Sequence, residues 1–289
     1  MSEKIDYFGC ITQPWEVHLP ELDIVPDQPF DVFLRSLSEQ VNDDGFLYPP
    51  TAYTAYMVNG VEAKPIPNSR RPAPMWQIPV SHKIIHKMQT QKESRLGLSG
   101  FVVFLFGFLA GQSAQFFDWK VVGRIPIKAH YKLCFRDADC QKYINTALDT
   151  WRALDPDGQK RLTNILYCRG RLFAYESLWE KFIFNYMLVD SIWRFLPHKQ
   201  KKIGHRDRLA TMCNELSLHV DTDALGKIVA LRNDLFHESL WAKDMPGYSS
   251  NGIQEAVCLH NIVEQLIVRC LGFTAELPPW TLKVDYALD

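Results

Sequence analysis

The sequence lacks most of the short motifs that identify metal, nucleotide and hydrolase sites. Its 289 residues contain no Gly-rich phosphate loop, no GxGxxG fingerprint, no GxSxG elbow and no HExxH zinc motif. The DPDG segment at residues 155–158 is followed by none of the later ligands of a calcium loop. His82 and His86 have a spacing that can bind zinc on a helix, but they lie in a proline-rich region without a glutamate in the HExxH arrangement. We therefore expect no metal and no cofactor.

The chain also lacks an excess of charge of one sign and a pattern of paired cysteines. It has 32 basic and 33 acidic residues, so any contact with nucleic acid must come from a local patch. Its seven cysteines are widely spaced and form no CxxC pair, so the pattern suggests neither a disulfide framework nor a zinc ribbon. The first residues, MSEKIDYFG, show no signal-peptide pattern. The sequence therefore predicts a cytoplasmic location.

No apolar run has the length of a membrane helix. Residues 101–110 are apolar apart from glycine, but they number far fewer than the ~20 that a spanning helix needs. Residues 182–196 are interrupted by polar side chains, among them Asp190 and Arg194, which are costly in lipid. We predict that both stretches are buried core helices and that the protein does not enter a membrane.

Prolines and helical periodicity divide the chain near residue 130. Residues 1–130 contain a proline-rich stretch from Pro49 to Pro79, which favours loops and short strands, and a helix that begins near Pro29. Residues 131–289 repeat apolar side chains at helical spacing. We therefore expect a mainly α protein, in which a mixed α+β domain over residues 1–130 precedes an antiparallel helical bundle over residues 131–289.

Five helices are predicted in the bundle. Helical spacing covers residues 139–154 and 206–218, and one long helix runs from about residue 156 to Leu196, with a kink at Gly170. Asp221 or Thr222 caps the next helix, which places Phe236 on an apolar face. The last helix covers residues 253–271.

The penultimate predicted helix carries the segment LRNDLFHES, in which Arg232 and Asn233 are followed by His237. A chain of this composition is expected to contain Arg-Asn-x3-His only about 0.02 times by chance. The motif lies late in its helix, after a long apolar helix and before a final amphipathic one. Motif and helix order together favour a functional site.

In this motif and this helix order, the chain resembles the HEPN superfamily (higher eukaryotes and prokaryotes nucleotide-binding domains). Members are helical bundles whose Arg-(Asn/Asp/His)-x3-His motif marks metal-independent ribonucleases of toxin, phage-defence and RNA-processing systems. The resemblance covers roughly residues 135–275 and implies cleavage by the ribose 2′-hydroxyl, which leaves a 2′,3′-cyclic phosphate and a 5′-hydroxyl. We expect residues 1–130, which we assign to no family, to form a sensory or regulatory domain.

The resemblance implies a role for each residue of the motif. His237 would be the acid/base, Arg232 the phosphate clamp, and Asn233 would orient one of them or the RNA. Ser239 stands where toxins paired with nucleotidyltransferase antitoxins have tyrosine, which argues against such a pairing.

Helix geometry raises an objection to this site. Five positions on an ideal α-helix separate Arg232 and His237 by about 140°. Convergence therefore needs the reach of the arginine, an altered helix end, or a second copy of the motif. Because active clefts in the superfamily are commonly formed between two subunits, we expect a homodimer through the C-terminal bundle. The alternative is that both residues lie on the surface and form ion pairs with Asp234, Glu238 or other neighbours.

Two further groups of residues are candidates. Asp190 lies where family members often have an acidic residue facing the motif, and it either orients Arg232 or His237 or pairs with Arg194 four residues on. The basic segment at residues 197–208, PHKQKKIGHRDR, either binds the RNA backbone or is simply solvated. Its candidate RNA-binding residues are Lys199, Lys201, Lys202 and Arg206.

Three functions are consistent with these patterns. The first is a dimeric, metal-independent endoribonuclease, either a toxin or an anti-phage defence effector, whose partners are RNA, a second copy of the chain and a regulatory protein. The second is a non-catalytic module of the same fold that binds RNA, a nucleotide or a protein. The third is a structural dimerisation bundle, which would hold Arg232 and His237 in ion pairs.

Overall fold

A computed structural model describes residues 4–54, 57–58, 61–62, 66–72, 75–87, 95, 97–127, 137–175, 177–196, 203–246 and 251–273. The chain divides into two compact units, Met1–Lys142 and Tyr143–Asp289, whereas the sequence analysis placed the division at residue 130. Most of the described secondary structure is helical and the sheets are small, which confirms a mainly α protein.

The first unit combines short antiparallel strands with two helices. Its largest sheet has five strands in the order β10-β1-β9-β3-β2, and the pairs β4–β11, β5–β8 and β6–β7 are separate. The strands are β1 (Ile5–Gly9), β2 (Val17–His18), β3 (Leu22–Pro26), β4 (Phe46–Leu47), β5 (Thr51–Thr54), β6 (Met57–Val58), β7 (Val61–Glu62), β8 (Ile66–Pro72), β9 (His82–His86), β10 (Gln115–Phe116) and β11 (Ile125–Pro126). The helices are α1 (Phe30–Ser38), which follows Pro29 as predicted, and α2 (Leu98–Ala110).

Helix α2 is the apolar stretch whose length was too short for a membrane span. It has no polar stripe, so it is stable only if apolar groups surround it on all sides, and its residues from Ser99 to Ala110 are buried. It contacts β10, and the ring of Phe106 lies edge-on to Phe8 of β1 at 5.8 Å. Among the described residues, no helix combines the length and the hydropathy that crossing a membrane requires.

His82 and His86 lie on strand β9 rather than on a helix, and both are buried. The ring of His82 stacks on Phe8 with the centroids 5.4 Å apart, while His86 Nε2 lies 2.9 Å from Asp6 Oδ2. These two histidines are therefore packed in the sheet as parts of its core.

The described part of the second unit is helical. A 3₁₀ turn (Leu172–Ala174) follows the second of its helices, and a π-helical segment (Asp234–Glu238) continues the fifth. The helices are α3 (Cys140–Arg152), which begins just before the division between the units, α4 (Pro156–Arg171), α5 (Leu178–Phe195), α6 (His205–Glu215), α7 (Thr222–Asn233) and α8 (Ile253–Cys270).

The prediction of one helix from residue 156 to Leu196 is wrong, because α4 and α5 are separate. The backbone of Tyr175 is extended, and Ser177 and Glu180 form a capping box that begins α5. In this box the Ser177 backbone N–H donates to Glu180 Oε2 at 3.4 Å. The apolar periodicity continues across the break because both helices face the same core, whereas the cap is a local signal that the periodicity does not contain.

The bundle is centred on α5, which packs against α4 and α8. Its long apolar stretch accounts for this position, since Phe182, Leu188 and Ile192 are fully buried. A buried ion pair joins the two flanking helices: Arg169 Nε of α4 donates to Glu264 Oε1 of α8, and the exposed fractions of the two side chains are 3% and 0%. This pair fixes the register of α4 against α8.

Removal of one partner of this pair is expected to destabilise the bundle strongly. Glu264→Leu leaves the Arg169 guanidinium buried without its counter-charge. Arg169→Met likewise leaves the Glu264 carboxylate buried without its counter-charge. Each should lower the free energy of unfolding by about 3–5 kcal/mol, because a buried unpaired charge is costly. The double variant should recover most of the loss. The measurement is urea denaturation followed by far-UV circular dichroism, with the exposed Arg161→Met on the same helix as the control.

Candidate functional site

Arg232 and His237 lie at the C-terminal end of α7, where the helix changes its hydrogen-bonding pattern. The helix begins at the predicted cap, since the Asp221 side chain accepts from the Asp223 backbone N–H at 3.0 Å. From Asp234 to Glu238 the helix is π-helical, and it ends at Ser239, which has a left-handed conformation with φ 59° and donates its N–H to Asp234 O.

The π-helical segment removes the geometric objection to the site. An i→i+5 hydrogen-bond pattern widens the turn, so that residues five apart face more nearly the same direction than on an α-helix. Arg232 Nη1 therefore reaches to 3.0 Å from His237 Nε2. Of the three routes to convergence considered for the sequence, the altered helix end is the one that brings these residues together within one chain.

The three residues of the motif form one hydrogen-bonded cluster. Arg232 Nη1 also donates to Asn233 Oδ1 at 3.1 Å. Since an arginine N–H can only donate, its bond to His237 requires that Nε2 accepts and that the neutral imidazole carries its proton on Nδ1. Within the described residues neither Arg232 nor His237 forms an ion pair, and Asp234 instead lies 3.9 Å from Lys243 Nζ. The alternative in which the motif consists of surface ion pairs is not observed.

Aromatic rings support the arginine from two sides. The Arg232 guanidinium carbon lies 4.9 Å from the ring centre of Phe236 and 5.7 Å from that of Tyr186 on α5. Tyr186 is 2% exposed and burial raises its pKa to about 12, so its hydroxyl is neutral. The prediction that Phe236 packs on an apolar face is wrong: 48% of its surface is exposed beside the motif.

Asp190 does not contact the motif, nor does it pair with Arg194. Both expectations for Asp190 are wrong, because its carboxylate accepts from Arg208 Nη1 of the neighbouring helix α6. Asp190 lies one turn beyond Tyr186 on α5, on the face toward α6, so a cation from another helix reaches it. The Arg208 guanidinium also lies 5.7 Å from the ring centre of Trp193, which helps to hold it in place.

Helix α6 contributes two residues that the sequence analysis did not select as site residues, His205 and Arg208. The ring of His205 lies 5.6 Å from that of Tyr186. Burial, together with the positive charges of Arg232 and Arg208, lowers the pKa of His205 below its ordinary value, while Asp190 opposes this shift. The sequence alone indicates that His205 and Arg208 share a helix face, because they are three residues apart. Only the fold shows that this face meets α5 and α7.

The basic segment is described only in part. Lys199, Lys201 and Lys202 fall outside the described residues. Arg206 is exposed near the start of α6, and its Nη2 donates to the Thr222 carbonyl oxygen at 3.3 Å, at the beginning of α7. Arg206 thus lies by the N-terminal end of α7, whereas the motif lies at its C-terminal end.

Scans against protein-family models, curated proteins and solved structures found no match to this chain. The chemistry of the cluster itself is therefore the basis for assigning a function. The cluster carries an excess of positive charge beside an exposed aromatic ring; it consists of Arg232, His205, His237 and the Arg208–Asp190 pair. Such an environment favours a phosphate group and nucleobases.

The hydrogen bond between Arg232 and His237 predicts the tautomer of the histidine. At a pH where His237 is neutral, its proton should be on Nδ1, and in Arg232→Met it should move to Nε2, the tautomer that a free histidine side chain favours in water. Long-range ¹H–¹⁵N NMR spectra distinguish the two tautomers. The exposed His219 is the internal control, and its tautomer should be the same in the parent chain and in Arg232→Met. An Nε2–H tautomer of His237 in the parent chain would contradict the observed contact.

Proposed function

We propose that the C-terminal unit is a metal-independent endoribonuclease of the HEPN type. The observation that carries the proposal is the 3.0 Å contact between Arg232 and His237 at an exposed helix end. It joins a permanent cation with a forked set of donors to a group that can accept and release a proton near neutral pH. A phosphodiester cleavage without metal needs groups of both kinds.

In this mechanism the scissile phosphate binds to the Arg232 guanidinium, which turns from His237 toward the nonbridging oxygens. The 2′-oxygen attacks phosphorus as its proton is removed, and the bond from phosphorus to the 5′-oxygen breaks as that oxygen receives a proton. The products are a 2′,3′-cyclic phosphate and a 5′-hydroxyl. His237 takes part in the proton transfers, and Asn233 holds the arginine in position through its Oδ1 atom.

The helix order supports the assignment to this family type. The motif ends the penultimate helix of the bundle, α5 forms the buried centre, and α8 closes the set. A homodimer through this bundle belongs to the proposal, although the convergence of Arg232 and His237 within one chain does not require it. Action as a toxin or anti-phage effector, with the N-terminal unit or a protein partner as its regulator, is also part of the proposal.

The alternative is a non-catalytic module of the same type that binds single-stranded RNA, and one observation favours it. Phe236 is exposed, and the Arg232 guanidinium lies against its ring. Such a pair can stack on a nucleobase and contact the adjacent phosphate without any cleavage. Binding and cleavage would use the same residues, so cleavage itself distinguishes the two functions.

The enzyme should cleave RNA in the presence of excess EDTA. His237→Ala and Arg232→Ala should each slow cleavage by at least ~100-fold, because one removes proton transfer and the other the phosphate clamp. The measurement is gel analysis of total RNA, with chemical identification of 2′,3′-cyclic phosphate ends.

Matched controls for this experiment are His219→Ala and Arg194→Ala, which change exposed residues of the same unit. Both should cleave at the parental rate. Binding of RNA by the parent chain without cleavage would favour the non-catalytic module. Cleavage that survives both His237→Ala and Arg232→Ala would contradict the site assignment.

Phe236 should contribute to RNA binding through its ring. In a His237→Ala background, Phe236→Ala should weaken binding of single-stranded RNA by about 1–3 kcal/mol, whereas Phe236→Tyr should preserve it, because stacking requires only an aromatic face. The measurement is fluorescence anisotropy of labelled RNA. Met187→Ala, which removes a similarly exposed apolar side chain on α5, is the control and should have little effect. Equal losses in the Ala and Tyr variants would argue against stacking.

A further inference from the structure

The geometry of the cleavage step requires more than one proton-transfer group. In an in-line displacement the attacking 2′-oxygen and the leaving 5′-oxygen lie on opposite sides of phosphorus. A single imidazole that contacts one of these oxygens within hydrogen-bond distance is out of reach of the other. An enzyme that uses His237 at one oxygen therefore needs a second group at the other.

We propose that His205 is this second group and acts as the general base, while His237 of the same chain acts as the general acid. This inference rests on the proposed ribonuclease function. His205 is the first residue of α6 and is half-buried. Its ring lies 5.6 Å from Tyr186, and the Arg232 guanidinium carbon lies 5.7 Å from the same ring. The second histidine and the phosphate clamp thus lie near the same buried aromatic side chain.

Unpaired polar atoms also mark this place. Buried donors and acceptors in folded proteins nearly always have a partner. In the described part of the chain, four buried atoms without a hydrogen-bond partner belong to side chains of this cluster: Tyr186 Oη, His205 Nδ1, Arg208 Nε and Arg232 Nε. The two arginine Nε atoms are donors, and Tyr186 Oη and His205 Nδ1 can either donate or accept, which suits the oxygens of a bound phosphate and ribose.

The charges around His205 favour its neutral form. Arg208 faces it from its own helix, Arg232 and His237 from the end of α7, and Tyr186 with Asp190 from α5. Asp190 is the one acidic group among them, and it is paired with Arg208. A histidine at the first position of a helix also meets the positive end of the helix dipole. An imidazole that is neutral at neutral pH can accept the 2′-hydroxyl proton.

The proton balance of the step then closes. His205 takes the proton of the 2′-hydroxyl as the bond from the 2′-oxygen to phosphorus forms. His237, released from Arg232 when the phosphate binds, takes up a proton from water and gives that proton to the 5′-oxygen as its bond to phosphorus breaks. The step leaves His205 protonated and His237 neutral, and exchange with water restores both.

A leaving-group substitution separates the two histidines. The probe is a short RNA that the full-length parent cleaves, compared with the same RNA carrying sulfur in place of the scissile 5′-oxygen, since a thiolate leaves without a proton. His205→Ala and His205→Gln should slow cleavage of both RNAs by at least ~100-fold. His237→Ala should slow cleavage of the oxygen substrate similarly, but in this variant the sulfur substrate should recover most of the lost rate. His219→Ala should cleave both RNAs at the parental rate.

The pH profile provides the second readout. In the parent the rate should rise with pH through a value below the ordinary 6.5 of histidine, because the base must lose its proton and the pKa of His205 is lowered. This rise should be absent in His205→Gln. A full rate in His205→Ala with cleavage still dependent on His237 would overturn this inference alone. A loss in His205→Ala that His205→Gln restores, with the rise intact, would show a positioning role and also overturn it. If the parent chain cleaves no RNA at all, the proposed function is overturned and this inference with it.

Discussion

The candidate site depends on one local constraint, the change from α- to π-helical hydrogen bonding after Asn233. On a continuous α-helix Arg232 and His237 would face directions about 140° apart. The π-helical segment from Asp234 to Glu238 turns His237 back beneath the arginine and brings Nε2 to 3.0 Å from Nη1. π-helical turns are rare because their hydrogen bonds and packing are poorer, and they persist where the surrounding structure compensates. Here the buried Leu235 anchors the segment, while Phe236 and His237 remain exposed.

The rest of the bundle gives this helix end its neighbours. Helix α5 is held between α4 and α8, whose register the buried pair of Arg169 and Glu264 fixes. Because α5 is fixed, Tyr186 presents a rigid ring to the end of α7 and to the start of α6. The Asp190–Arg208 ion pair then ties α6 to α5 one turn further along. The site is thus assembled from three helices, although its recognisable motif lies on one.

The sequence predicted the parts of this arrangement that depend on local patterns. The helix at Pro29, the Asp221 cap, the buried apolar stretch at residues 101–110 and the mainly α class follow from propensity, capping and periodicity, and all are observed. What was missed has both distant and local causes. The partner of Asp190 comes from another helix, the exposure of Phe236 follows from the π-helical turn, and the break at Tyr175 is hidden by continuous periodicity.

The composition of the cluster also limits the kind of ligand that it can hold. Two guanidinium groups and the His205 imidazole lie near Tyr186, and the carboxylate of Asp190 beside them is paired with Arg208. A divalent cation would meet positive charge there and find few oxygen donors, whereas a phosphate would meet donors on three helices. The aromatic surface of Phe236 lies beside these donors at an exposed helix end. An anion that carries a flat aromatic ring, as the proposed RNA ligand does, would satisfy the charge, the unpaired donors and the exposed ring at once.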